Sequence, residues 1–263
     1  MVVEEAFRKL ALSRTLDGNR IFWELFKVRS SFLIFLDNKI DLDSELKNFE
    51  TYFSQVNTSE KETRRKQRKL IRHVVNYLSS AQSLKEHLLI KQGWVGPKDV
   101  NTILYYFFRE LRNLLVHNMS LPLISRRTTD NKNGENKLIV EQAIDKAIFL
   151  NFLEEKRELP VLKEKTKQLK QIVEVIEWIS KMPDGTIFNK LLAEYHLSLI
   201  VYYKGWVKNY VKLNRKSLAH FNEIVKQIHE TPIDKSGRRI TNLPINIYQN
   251  RWLSMWLSFT QAK

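Results

Sequence analysis

The sequence predicts an all-α protein, and three observations carry that prediction. Gly and Pro, which interrupt helices, number only 7 and 6 among 263 residues. Apolar residues make up 43% of the chain, enough to bury a sizeable core. Several segments repeat their apolar residues at three- and four-residue steps, which is typical of amphipathic helices. We expect a bundle of about six to eight helices, and a small β-hairpin is favoured around residues 121–140.

The first half of the chain predicts helices separated by short breaks. Residues 1–50 favour helix, the polar residues 37–43 predict a turn, and residues 46–56 predict another short helix. Ser59 followed by two acids indicates the start of a long helix, which should end before the Gly- and Pro-containing residues 93–97. Asp99 is the expected N-cap of the next helix, which ends near Pro122.

The second half predicts further helices after the hairpin. Asn133-Gly134 between two apolar runs favours a hairpin turn. Residues 141–181 predict one or two helices, residues 182–185 a turn, and residues 186–230 more helix. The spacing of the aromatic residues in the tail predicts a short terminal helix there. No repeat or low-complexity linker divides the chain, so we expect a single domain over residues 1–263.

Charge and composition bound the function. The chain has 44 Lys and Arg against 29 Asp and Glu, a net charge of +15, so a polyanion such as RNA is the expected partner. The alternative is a basic surface without a ligand. The chain has no Cys, no apolar stretch that could span a bilayer and no secretory signal at residue 1, so we expect a cytoplasmic location and no membrane contact.

Sequence motifs exclude several common chemistries. The chain has no Gly-rich phosphate loop, no His-Glu-x-x-His and no Gly-x-Ser-x-Gly. The six His are scattered without the spacing of metal ligands. We therefore expect no cofactor and no metal site.

The strongest motif lies at the end of the helix that Asp99 begins. It runs from Arg112 through Asn113 to His117, and a Leu-Pro stop follows. The same Arg-x4-His spacing recurs at Arg68 and at Arg215, but only Arg112 is followed by Asn. This segment resembles the Arg-x4–6-His motif of the HEPN superfamily. The preceding helix, with an Asn-Tyr-Leu run and the pair Glu86-His87, resembles the matching helix of some bacterial HEPN-like proteins.

The resemblance implies a function and an assembly. HEPN proteins are helical bundles, many of them metal-independent endoribonucleases of toxin and antiphage-defence systems. The resemblance covers roughly residues 70–125. We expect a HEPN-like core over roughly residues 65–225, with residues 1–58 and 232–263 packing on it. The resemblance also implies Arg112, Asn113 and His117 as catalytic residues, with Glu86 and His87 in support. An antitoxin or another defence protein would be the expected protein partner.

The chemistry suits these residue types. Imidazole titrates near neutral pH and can take the proton of a 2′-hydroxyl, while a guanidinium binds phosphate in a fork and stabilises its developing charge. Five residues along a helix turn a side chain by about 140° net, so Arg112 and His117 converge only at a helix end or between two protomers. The resemblance to HEPN proteins implies the second arrangement, in which two protomers form a composite cleft. We therefore expect a homodimer with this helix near the two-fold axis. The alternative is structural: Arg112 pairs with Glu110 or Glu86, and His117 caps the helix.

Two basic segments are candidates for RNA contact. One contains Arg64, Arg65 and Arg68, and the other is a row of lysines interleaved with Tyr203, Trp206 and Tyr210. The row consists of Lys204, Lys208, Lys212 and Lys216. The alternative is a buried aromatic face beside a solvated lysine face. If the chain has no nuclease activity, it is a non-catalytic RNA-binding or protein-interaction module, or a subunit of a larger defence complex.

Overall fold

The computed structural model describes residues 2–54, 59–89, 102–118, 122–130, 137–160 and 166–230. These residues form eight named α-helices and one two-stranded sheet, which confirms the predicted all-α class with a small hairpin. The helices are α1 (Val2–Thr15), α2 (Asp17–Phe53), α3 (Glu60–Leu89), α4 (Thr102–Asn118), α5 (Lys146–Arg157), α6 (Thr166–Lys181), α7 (Phe188–Leu213) and α8 (Arg215–Glu230). The strands β1 (Leu123–Asp130) and β2 (Lys137–Ile144) pair antiparallel.

Helix α2 runs through residues 37–43 without interruption, so the turn predicted there is wrong. The helix predicted at residues 46–56 is the end of the same helix. Lys39 Nζ lies 2.5 Å from Asp43 Oδ1, one turn along the helix, and this i,i+4 pair supports a helical backbone. Leu42 and Leu46 lie on the same side of the helix as this pair and are buried, while Asp37 and Asp41 are exposed on the opposite side. Asp37 and Asp41 thus belong to the solvent-facing side of one long helix.

Helices α3 and α4 follow their predicted apolar stripes. Ser59 Oγ accepts a hydrogen bond from the N–H of Glu62 at 3.3 Å, which confirms the predicted helix start. Leu70, Val74 and Leu78 of α3 are buried, as are most apolar residues of α4. The predicted N-cap Asp99 lies outside the described residues.

The larger of two compact units comprises residues 31–202. Aromatic side chains dominate its core. Phe107 makes edge contacts with Phe149 and Trp178, with ring centroids 5.1 and 5.4 Å apart, and Phe108 stacks on Tyr195 at 4.6 Å. Large buried rings of this kind anchor α4 between its neighbours.

The smaller unit comprises residues 2–30 and 203–230 of the described chain. Phe22 packs against Phe221 with ring centroids 5.8 Å apart. Gly18 lies so close to α8 that a Cβ atom would stand 2.2 Å from the carbonyl oxygen of Ser217, so only glycine fits there. The single domain expected from the sequence stays a prediction.

The hairpin leads into α5 and is fixed by the turn after α6. Ile144 N–H donates to the carbonyl oxygen of Thr186 at 3.0 Å, and Ala143 forms a bridge with Ile187. Asp145 caps α5 by accepting from the N–H of Ile148 at 3.2 Å. Strand β2 extends to residue 144, so the helix predicted from residue 141 begins later. The predicted Asn133-Gly134 turn and the terminal helix fall outside the described residues.

Candidate functional site

The three residues predicted to be catalytic lie at the C-terminal end of α4. This helix packs against α3, α5 and α6. Its side chains Phe107, Leu111 and Leu114 are buried, which fixes the rotation of the helix about its axis. The helix ends at Asn118, one residue after His117. The end of the helix is therefore where the sequence predicted it.

Arg112 is held on the α3 side of α4. Its Nε donates to Ser79 Oγ at 2.9 Å and its Nη1 donates to Gln82 Oε1 at 3.1 Å. Gln82 in turn donates to Glu86 at 2.8 Å. The proposed structural pairing of Arg112 with Glu110 or Glu86 is not what the contacts show. The two N–H groups of Nη2 have no hydrogen-bond partner among the described residues.

Asn113 belongs to a network around a buried carboxylate. Its Nδ2 donates to Glu110 Oε2 at 3.3 Å. Glu110 is 1% exposed and forms ion pairs with Lys156 of α5 and with Arg109, whose Nη2 lies 2.8 Å from Oε1. Arg109 also donates to Gln171 of α6 at 2.9 Å. One acid thus connects three helices beneath the candidate site.

Two ionisable groups near the network have shifted pKa values. Burial would raise the pKa of Glu110, but the hydrogen bonds and charges of Lys156 and Arg109 outweigh it and hold that pKa below 4.5. Burial, with a contribution from the charge of Arg109, lowers the pKa of Lys85 from 10.5 to about 7. The Lys85 ammonium lies 2.9 Å from the ring centroid of Tyr105, a cation–π contact.

Two cavities adjoin this network. The first, of about 180 Å³, is lined by Gln82, Arg109, Glu110, Asn113, Lys156, Gln168 and Ile172. The second, of about 330 Å³, is lined by His117, Phe152, Glu155, Lys156 and Leu159. Lys156 borders both cavities, and Asn113 and His117 lie one turn apart on the same side of α4. A single chain thus groups Asn113, Lys156 and His117 around these cavities and directs Arg112 toward Ser79 and Gln82 of α3.

The two supporting residues differ in how they relate to this site. Glu86 is connected to Arg112 through Gln82. His87 is directed elsewhere: its Nδ1 lies 2.6 Å from Ser31 Oγ on α2. Glu86 therefore lies next to the site, whereas the described contact of His87 is with α2.

The basic segment of α3 is exposed. Arg64 pairs with Glu60, while Arg65 and Arg68 project into solvent. Arg64 and Arg68 also border a cavity of about 500 Å³. This surface can reach a polyanion.

The lysines of the α7 row are exposed, but the aromatic residues between them are buried. Lys204, Lys208 and Lys212 face solvent, whereas Tyr203 is buried. The remaining two rings, Trp206 and Tyr210, are buried and stack on each other at 4.7 Å. The alternative of a core aromatic face is therefore confirmed, and these rings are not available to stack on bases. Lys216 lies beyond the end of α7, on α8.

Sequence reasoning missed Arg109, Lys156 and Gln171, and named Glu110 only as a partner for Arg112. Lys156 and Gln171 reach the α4 network from 46 and 62 residues away along the chain. The sequence did contain one signal of the buried ion pair. Glu110 is the only acid of α4 and lies at the helical spacing of Phe107 and Leu114, in the apolar stripe. An acid at a core position predicts a buried ion pair.

The fold and the site define a helical protein with a cation-rich polar site at a helix end. In the described ranges no helix is long and apolar enough to cross a membrane, and no three His, Asp or Glu side chains are grouped to hold a metal ion. No protein-family model, curated protein or solved structure matches the chain.

Proposed function

We propose that this protein is a metal-independent endoribonuclease of HEPN type, with its chemistry at the end of α4. The 2′-hydroxyl of RNA attacks the adjacent phosphorus, forming a 2′-O–P bond and breaking the P–O5′ bond. His117 takes the 2′ proton, and the protonated imidazole returns it to the leaving 5′ oxygen. Arg112 stabilises the charge of the phosphorane, and Asn113 orients the phosphate.

The availability of the two ionic groups supports this proposal. His117 is exposed at the mouth of a cavity, where a substrate can reach its imidazole. Arg112 is positioned by two hydrogen bonds, yet its Nη2 N–H groups remain available for a phosphate in the described structure. A fixed guanidinium with spare donors is suited to phosphate recognition.

A second copy of the chain would bring Arg112 and His117 together, which a single chain does not. Val116, beside His117, is 48% exposed. Ile148 of α5 is 43% exposed, and Leu159, two residues beyond the end of α5, is 50% exposed and borders the same cavity as His117. Such a patch can meet itself across a two-fold axis. In that dimer Arg112 of one protomer would face His117 of the other, as in a composite cleft.

The test is cleavage of total tRNA and of a mixed single-stranded RNA in excess EDTA. We expect wild-type protein to cleave, and His117→Ala and Arg112→Ala each to lower the rate by about 10²-fold or more. His220→Ala is the matched control, because His220 is exposed and shares the Arg-x4-His spacing. Equal cleavage by wild type and both site variants would refute the proposal.

The second candidate is a non-catalytic RNA-binding module. The bonds of Arg112 to α3 favour it, because they also suit a purely structural arginine. It predicts salt-dependent retention of RNA, no cleavage by any variant, and no effect of His117→Ala on binding.

A further inference from the structure

Three arginines form a row along the exposed face of α3. Arg65, Arg68 and Arg72 follow one another at three- and four-residue steps, so they lie on one side of the helix, and each is exposed. Their neighbour Arg64 is paired with Glu60. The three residues of this arginine row form no ion pair with any other residue in the described ranges. Their charges are therefore available to a ligand.

The arginine row is directed along α3 toward the candidate site. Asn76 continues the same face and is exposed. Ser79 follows and accepts the hydrogen bond from Nε of Arg112 at 2.9 Å. At 1.5 Å per residue, the distance from Arg65 to Ser79 along the helix axis is roughly 21 Å. A chain of phosphates lying on this face would pass the arginines and reach the guanidinium of Arg112.

We propose that the arginine row binds the phosphate backbone of single-stranded RNA and leads it to Arg112. For the identity of its ligand this inference rests on the proposed ribonuclease function. Guanidinium groups bind phosphate oxygens in a fork, and contacts of this kind position a strand without reading its bases. A single file of arginines matches one backbone, and a duplex presents two.

Binding of a fluorescent 2′-O-methyl RNA strand tests the arginine row apart from catalysis, because this RNA has no 2′-hydroxyl to attack. The variant is Arg65→Gln with Arg68→Gln and Arg72→Gln in the full chain. Each phosphate contact to a single strand contributes about 0.7 to the slope of log K against log salt, so losing three should flatten that slope by about 2. The matched control, Lys47→Gln with Lys181→Gln and Lys190→Gln, removes the same charge from three exposed positions outside both basic segments and should change the slope less.

The outcomes separate this inference from the proposed function. A flattened slope specific to the α3 variant supports the arginine row, even if wild-type protein cleaves no RNA in the nuclease assay. Equal effects of the two triple variants would show a general charge effect and overturn it. Wild-type binding by the α3 variant, or tighter binding of duplex than of strand, would also overturn it. The first of these two results would leave the row to an acidic protein partner.

Discussion

Glu110 is a buried carboxylate of α4 that forms an ion pair with Lys156 of α5. Its carboxylate is almost fully removed from water and is surrounded by donors from Lys156, Arg109 and Asn113. A buried charge is stable only when it is paired, and removing one partner leaves the others uncompensated. The position of the candidate site between α4 and α5 therefore depends on this one acid.

We predict that Glu110→Gln lowers the free energy of unfolding by about 3 kcal/mol near neutral pH, because it leaves Lys156 and Arg109 without their counter-charge. Urea denaturation measures it. Glu174→Gln, at an exposed acid of α6, is the control and should change stability by less than about 0.5 kcal/mol.

The stability difference between wild type and Glu110→Gln should depend on pH. The pKa of Glu110 in the folded protein lies below its usual value of 4.5. The stability that its charge contributes is therefore present above about pH 4.5 and is lost as the pH falls through the folded pKa. Wild type and Glu110→Gln should converge in acid. A difference that stays constant from neutral to acid pH would contradict the ionic explanation.

At the residue scale, the sequence identified candidate residue types but not their partners. The identity of Arg112 was accessible from its motif, whereas its bonds to Ser79 and Gln82 were not, since they join residues 33 and 30 positions apart. The exposure of His117 could be expected at a helix end. Its neighbour Lys156 could not, because no periodic pattern encodes which side chain of a distant helix packs there.

Helix α2 shows what the spacing of apolar residues can and cannot predict. The apolar residues of α3 and α4 recur regularly enough to predict both helices and their buried faces. In α2 a polar run at residues 37–43 has the composition of a turn. The helix persists because Leu42 and Leu46 are buried along one face, where Lys39 and Asp43 also pair, while Asp37 and Asp41 face solvent on the opposite side. Local composition was outweighed by packing at a distance.

Proline at Ile40 tests the continuity of α2. Ile40 is 66% exposed, so its replacement removes little buried surface. We predict that Ile40→Pro costs about 3 kcal/mol, because proline removes a backbone hydrogen bond and clashes with the preceding turn. Thermal and urea unfolding measure the loss. Ile40→Ala should be near wild type, and equal stability of both variants would indicate a turn at this position.

At the scale of the whole molecule, the excess of positive charge and the exposed apolar patch favour two different partners. The charge favours a polyanion, while Val116 and Leu159 favour a second apolar surface. The proposed RNA path runs along α3 and ends at Arg112, which the proposed dimer places opposite His117 of the other protomer. The two proposed partners therefore meet at one composite cleft.

Substitution of Val116 tests the proposed dimer. We predict that Val116→Lys shifts the protein from dimer to monomer and abolishes cleavage, since two lysines would face each other near the two-fold axis. Sedimentation velocity measures the assembly. Leu213→Lys, at a 70% exposed position of α7, is the matched control and should stay dimeric. A wild-type monomer at all concentrations would exclude the composite site.

The hairpin has a consequence for colloidal behaviour. Strand β2 has a further neighbour in the bridge from Ala143 to Ile187, whereas β1 has β2 as its only strand partner in the described structure. An open strand edge is a template on which another chain can add by backbone hydrogen bonding. Arg126 is exposed on this edge strand, and its charge repels a second copy of the strand. We therefore expect the charge of Arg126 to oppose edge-to-edge association of the protein at high concentration.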